Sequence, residues 1–146
     1  MKREMIEFLL RAKKATYASD GDRVAPSRGC SQDLEYCEGE YKYYDTYLGG
    51  ESFAGEEAVW KNGVPIWSMN YIGRVTGDNF SIVFLKEALL NVPFDKPFRG
   101  PECFEKDGYT YKMECVGDFS WFQGKEIISY NGKEIYECFF HGGNIK

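Results

Sequence analysis

Residues 53–73 read FAGEEAVWKNGVPIWSMNYIG, and residues 122–142 read FQGKEIISYNGKEIYECFFHG. Set in one register, Phe53, Gly55, Glu57, Asn62, Gly63, Ile66 and Gly73 recur as Phe122, Gly124, Glu126, Asn131, Gly132, Ile135 and Gly142, seven identities in 21 positions. Val59/Ile128, Trp67/Tyr136 and Tyr71/Phe140 are conservative partners. At the centre of each stretch stands Asn-Gly, the pair that best tolerates the positive φ required at both central residues of a type I′ hairpin turn. Two hairpins are therefore predicted, joining residues 56–61 to 64–72 and 125–130 to 133–140. Pro65, which has no N–H to donate, is expected at a strand start or edge.

Outward from these hairpins, Glu38-Gly39-Glu40 and Asp107-Gly108 mark earlier turns, giving about four strands on each side. Residues 4–14 form an amphipathic pattern, with Met5, Phe8, Leu9 and Ala12 on one face and Glu7, Arg11 and Lys14 on the other. A second helix is predicted from a cap at Asp78 or Asn79, through Ile82, Phe84, Leu85, Ala88 and Leu89, to a stop at Pro93. Ile6, Phe8, Leu9 and Ala12 of the first align with Ile82, Phe84, Leu85 and Ala88 of the second. Pro26, Arg28 and Gly29 likewise match Pro97, Arg99 and Gly100, while Tyr41, Tyr43 and Gly49 match Tyr109, Tyr111 and Gly117. Residues 15–33 have the composition of a long loop.

The expected fold is thus a single α+β domain spanning residues 1–146 and built from two tandem diverged repeats, 4–75 and 78–146. Each repeat would be a helix followed by roughly three to four antiparallel strands, with the helices packed on curved sheet. Copies meeting about a pseudo-twofold axis would enclose a cleft lined by equivalent residues. Convergence of two similar hairpins is the alternative source of the likeness.

A hydrophobic fraction of 43%, with 11 Tyr and 11 Phe, supports a packed globule. No apolar run of bilayer-spanning length occurs and the start carries no signal-peptide pattern, so a cytoplasmic protein without a membrane partner is expected. Five cysteines without C-x-x-C spacing argue against a disulfide framework or zinc site. Net charge is −5, which argues against direct nucleic-acid binding. The small basic cluster Arg11, Lys13 and Lys14 reads as a solvated helix end.

Phosphate-loop, dinucleotide, zinc-protease and nucleophile-elbow motifs are absent from the sequence, so no cofactor, metal or catalytic residue is assigned. The lone histidine, His141, precedes two glycines. In the segment 49–57, GGESFAGEE, clustered glycines read first as a tight bend, with Glu56 and Glu57 on opposite faces of a strand. Paired carboxylates could do acid/base work if Glu57 and Glu126 converged. The matched arginines Arg28 and Arg99 form an anion clamp if they share a cleft, or tie their loops to Glu57 and Glu126. Tyr43, Tyr47, Trp67 and Trp121 complete the candidate ligand-binding set as an aromatic lining. Alternation places Tyr41, Tyr43, Asp45 and Tyr47 on one strand face.

At Gly49 to Trp60 (GGESFAGEEAVW), Met69 to Arg74 (MNYIGR), Phe84 to Leu89 (FLKEAL) and Arg99 to Glu102 (RGPE), the chain resembles a bacterial family of unknown function. The resemblance runs from the first helix to His141-Gly142-Gly143. Members of that family stand alone or behind an Xre/Cro-type helix-turn-helix domain, which implies a sensor or interaction role in transcriptional control. It brings no catalytic residues with it, and one N-terminal helix cannot supply a helix-turn-helix.

The functional expectation is a small-molecule-binding or regulatory module without its own DNA-binding domain. Its fitting partners are a small-molecule ligand, a second copy of the chain or a regulator protein. An enzyme using paired carboxylates and a protein-interaction or dimerisation module are the alternatives.

Overall fold

A computed structural model describes residues 2–18 and 23–146. The elements are α1 (Lys2–Ala18), β1 (Arg23–Val24), β2 (Gln32–Glu38), β3 (Tyr41–Gly49), β4 (Ser52–Lys61), β5 (Val64–Val75), α2 (Ile82–Leu90), β6 (Cys103–Lys106), β7 (Tyr109–Asp118), β8 (Trp121–Tyr130) and β9 (Lys133–Asn144). Among the described residues, all strands join one nine-stranded sheet in the order β1-β2-β3-β4-β5-β9-β8-β7-β6, every neighbouring pair antiparallel.

This overturns the expected pair of helix-plus-strands repeats. β9 runs along β5 from Trp67↔Asn144 to Val75↔Tyr136, so the two sets of strands are fused edge to edge. The physical reason lies in the backbone. A free β5 edge would present a long row of unpaired donors and acceptors, and β9 satisfies them. The matched stretches 53–73 and 122–142 form the two hairpins on either side of this seam.

The hairpins form as their turn residues demand. Asn62 and Gly63 have φ of 51° and 79°, and Asn131 and Gly132 have 48° and 83°. Pro65 lies two residues before the β5–β9 pairing begins, beside a register shift opposite Val59 and Trp60. Gly49, at φ 96°, closes the β3–β4 turn so tightly that a Cβ there would sit 2.1 Å from the Ser52 carbonyl oxygen. The glycine-rich segment is therefore a turn, with Glu56 exposed and Glu57 buried on the strand that follows.

Helix α1 is longer than its apolar pattern implied and takes residues 15–18 from the expected loop, while residues 19–22 of that loop lie outside the described residues. Helix α2 starts later than expected. Ser81, not Asp78 or Asn79, caps it by accepting a hydrogen bond from the Phe84 N–H at 3.2 Å, and Asn79 occupies a left-handed turn at φ 69°. α1 packs against α2, β2 and β3, and α2 also touches β7.

Phe8, Leu9 and Ala12 of α1 and Phe84, Leu85, Ala88 and Leu89 of α2 enter one core with Tyr43, Val59, Trp67, Met69, Tyr111, Ile128 and Phe140. Trp67 stacks on Phe119 and Phe122 at centroid distances of 5.1 and 5.8 Å, and its indole N–H donates to the Phe119 carbonyl at 3.1 Å. Burial of each such large side chain stabilises the fold by about 1.5–3 kcal/mol. The opposite sheet face leaves Ile72, Val116 and Phe139 exposed. Among the described residues no helix is long and apolar enough to cross a membrane.

Candidate ligand-binding site

Strand alternation sends an unusual number of charges toward the helices. Lys13, Asp45, Glu57, Arg99 and Glu126 are all buried on this side. Each needs a partner, because an isolated ion in such surroundings costs several kcal/mol.

Glu126 on β8 has a complete set. Arg99, in the segment between α2 and β6, donates from Nε at 2.9 Å and from Nη2 at 2.8 Å, one bond to each carboxylate oxygen. Tyr111 donates to Oε1 at 2.8 Å and Tyr136 to Oε2 at 2.7 Å. Burial works against the Glu126 charge, but Arg99 and the two hydroxyls outweigh it and hold the carboxyl below its usual range. The same contact raises the Arg99 guanidinium despite its burial. Gly100 follows with no room for a side chain, since its N–H donates to the Tyr111 hydroxyl oxygen at 2.9 Å and a Cβ would meet that ring at 2.6 Å.

Glu57 on β4 is held differently. Lys13 of α1 donates to Oε1 at 2.8 Å and also to the Phe98 carbonyl at 2.7 Å. Tyr43 makes a short hydrogen bond to the same oxygen, and Tyr17 stands 3.4 Å from both carboxylate oxygens. Burial pushes the Lys13 ammonium down, with Glu57 opposing it.

Directly across the ladder from Glu57 is a second buried carboxyl, Asp45 on β3. Its Oδ1 accepts the Tyr71 hydroxyl at 2.6 Å. Burial and then the neighbouring Glu57 charge raise it, and Tyr71, Arg99 and Lys13 offset only part of this, so Asp45 is pushed up to about 7. It changes charge near neutrality, whereas Glu126 does not.

Asp45 opens onto a cavity of 450 Å³ between the helices and the sheet, bounded also by Tyr17, Tyr71 and Arg99. The walls are largely apolar and include Leu34, Tyr47, Phe53, Phe80, Leu85 and Leu89. Arg23, Glu51 and Lys86 bring charge to its boundary. The Arg99 guanidinium also lies 5.2 Å from the centroid of the Tyr71 ring. An apolar chamber of this size with a few convergent polar groups has the form of a small-molecule site.

Of the sequence-derived candidates, Arg99 and Tyr47 line the cavity. Glu57 and Glu126 are each bound to a cation, and neither is among the residues lining this space. Tyr43 and Trp67 are core residues, and Trp121 is 80% exposed. Arg28 does not reach Glu57. It donates to Thr46 Oγ1 at 2.7 Å on the helix-free face, where Asp33 pins its loop by accepting from the Ser27 N–H, Ser31, Tyr44 and Thr46. These bonds overcome burial and hold Asp33 well below the usual carboxylate range.

A separate trough of 960 Å³ on that outer face includes Arg28, Glu56 and His141 among its lining. The place expected of Arg28 at Glu57 is filled by Lys13, which is buried instead of forming a solvated helix end. Lys13 follows Leu9 by four residues, a spacing that sets it beside the apolar stripe. The alternation along β3 placed Asp45 with the buried tyrosines, and that was its signal.

The family model for DUF5680, a domain of unknown function, matches residues 45–145, and the chain belongs to that family. Neither a curated protein nor a solved structure matches the chain. The matched segment holds Asp45, Glu57, Tyr71, Arg99 and Glu126, and leaves out α1 with Lys13 and Tyr17.

Proposed function

We propose that this DUF5680 member is a small-molecule-binding regulatory module whose ligand occupies the chamber between the helices and the sheet. The observation that carries the reading is the combination at Asp45. A titratable carboxyl near neutrality faces a 450 Å³ apolar space instead of being locked into an ion pair. An enzyme working through Glu57 and Glu126 has less support, because Lys13 and Arg99 occupy both carboxylates. The setting that fits is transcriptional control, by resemblance to proteins carrying an Xre/Cro-type domain. The described residues hold no helix-turn-helix, so their own part in such a role would be to bind the ligand.

A thermal-shift screen with small metabolites tests the reading, with Gly50→Phe as the blocked control. Gly50 lines the cavity, a Cβ there meets nothing within 4 Å, and its φ is not left-handed, so a ring can be added at the chamber's rim without backbone strain. Ligands that raise the melting temperature of the natural chain and not of Gly50→Phe support the proposal. Equal shifts in both proteins, or none in a broad screen, contradict it.

A further inference from the structure

We propose that the chamber selects an amphipathic monocation, a small molecule with an apolar or aromatic body and one protonated nitrogen, and that this nitrogen docks on the Asp45 carboxylate. The inference rests on the chamber being a ligand site and adds the chemical class of the ligand.

The charges around the site decide it. Arg99 is committed to Glu126 through two hydrogen bonds, and Lys13 to Glu57 and the Phe98 carbonyl. Two buried cations therefore face two buried carboxylates, and ionised Asp45 adds a third negative charge. Among the described residues, Tyr71 is the hydrogen-bond donor to Asp45, and it is neutral, its own hydroxyl raised well above the usual range by burial and by Asp45.

Every element packed around Asp45 contributes to this balance. Lys13 and Tyr17 come from α1, Glu57 from β4, Tyr71 from β5 and Arg99 from the segment after α2. At the boundary, exposed Arg23 and Glu51 and half-buried Lys86 bring two positive charges and one negative, which solvent screens more than the buried set. Among the buried charges, a ligand monocation restores three of each sign beside Asp45. A carboxylate ligand would instead put a fourth negative group beside Asp45 and Glu57.

Geometry adds the apolar half of the ligand. Phe53, Phe80, Leu85 and Leu89 present carbon to a molecule whose nitrogen points at Asp45, so burial holds the body and the ion pair fixes its orientation. Docking also carries a proton balance. Below neutrality Asp45 holds a proton, and a bound ammonium displaces it to solvent as the ion pair forms.

Isothermal titration calorimetry with three probes of similar shape tests this: 2-phenylethylammonium, neutral 2-phenylethanol and anionic 3-phenylpropionate. The ammonium is expected to bind at least about tenfold more tightly than the alcohol, and the carboxylate most weakly. Repeating the ammonium titration in buffers of different ionisation enthalpy should show proton release at pH 6 and almost none at pH 8.5. Asp45→Asn should reduce the preference for ammonium over alcohol to about twofold or less. The proton release is measured on the natural chain and decides the matter even if that variant folds poorly.

Alcohol and ammonium binding alike, with no proton released, overturns the charge assignment and leaves the chamber as a ligand site. Preference for the carboxylate also overturns it. Failure of all three probes, together with a silent metabolite screen, overturns the chamber reading itself.

Discussion

Glu126 and Glu57 occupy corresponding depths on opposite sides of the β5–β9 seam, both with no exposed surface, yet they are held in opposite styles. Glu126 faces Met113 across the ladder and receives two arginine bonds and two tyrosine bonds of 2.7–2.9 Å. Glu57 faces Asp45 and relies on a lysine, one short tyrosine bond and a second tyrosine at 3.4 Å. A planar guanidinium can satisfy a carboxylate bidentately, whereas an ammonium is a point charge shared here with a carbonyl. The comparison teaches that buried charge can be sealed or left poised. The Glu126 side is complete as folded, and the Glu57 side has one carboxyl more than its cations balance.

The largest expected effects come from removing a buried cation. Arg99→Met leaves Glu126 buried with no cation and should cost about 3–5 kcal/mol in denaturant unfolding. Lys13→Met likewise leaves buried Glu57 without its cation and should cost about 3–5 kcal/mol at pH 8, and less at pH 5, where Asp45 is protonated and adds no second negative charge. Removing one hydroxyl from Glu126, as Tyr136→Phe, should cost about 1.5–3 kcal/mol.

The poised side also predicts a pH dependence with a definite sign. Asp45 has a folded pKa of about 7, above its ordinary value of 3.8, so the folded state binds the proton more tightly. Its contribution to stability is fully present below about pH 4 and is lost as pH rises to about 7. Asp45→Asn should therefore gain stability relative to the natural chain across that window, read from unfolding curves at pH 4.5 and 8. Glu126 acts in the other direction. Its depressed pKa contributes stability above the usual carboxylate range that is lost on acidification. The smallest effect belongs to Tyr17→Phe, which removes only long contacts to Glu57 and should change stability by about 0.5 kcal/mol.

Local chemistry was legible in the sequence, and long-range pairing was not. Asn62-Gly63 and Asn131-Gly132 placed two hairpins because the required φ values belong to the turn residues themselves. The β5–β9 seam has no such signature. It joins residues more than sixty positions apart, and matched stretches that read as separate repeats became neighbours in one sheet.

At the site, the Arg99–Glu126 tie was among the readings the sequence offered, but its analogue at Arg28 failed because Asp33 fastens that loop to the other face. Lys13 was read with its charged neighbours Arg11 and Lys14, although its helical position lay beside Leu9 and Ala12. Asp45 stood in plain alternation with Tyr41 and Tyr43. Its importance came from two facts that the local pattern cannot carry, the Glu57 across the ladder and the open space in front of it.

The most direct test is a carbon-detected NMR titration of the Asp45 side-chain carboxyl in the natural chain from pH 3 to 9. An apparent midpoint near 7 is the predicted result, with Asp45 poised while Glu126 stays ionised to well below that pH. A midpoint for Asp45 at or below the ordinary aspartate value would contradict the account, because both carboxylate sites would then be sealed.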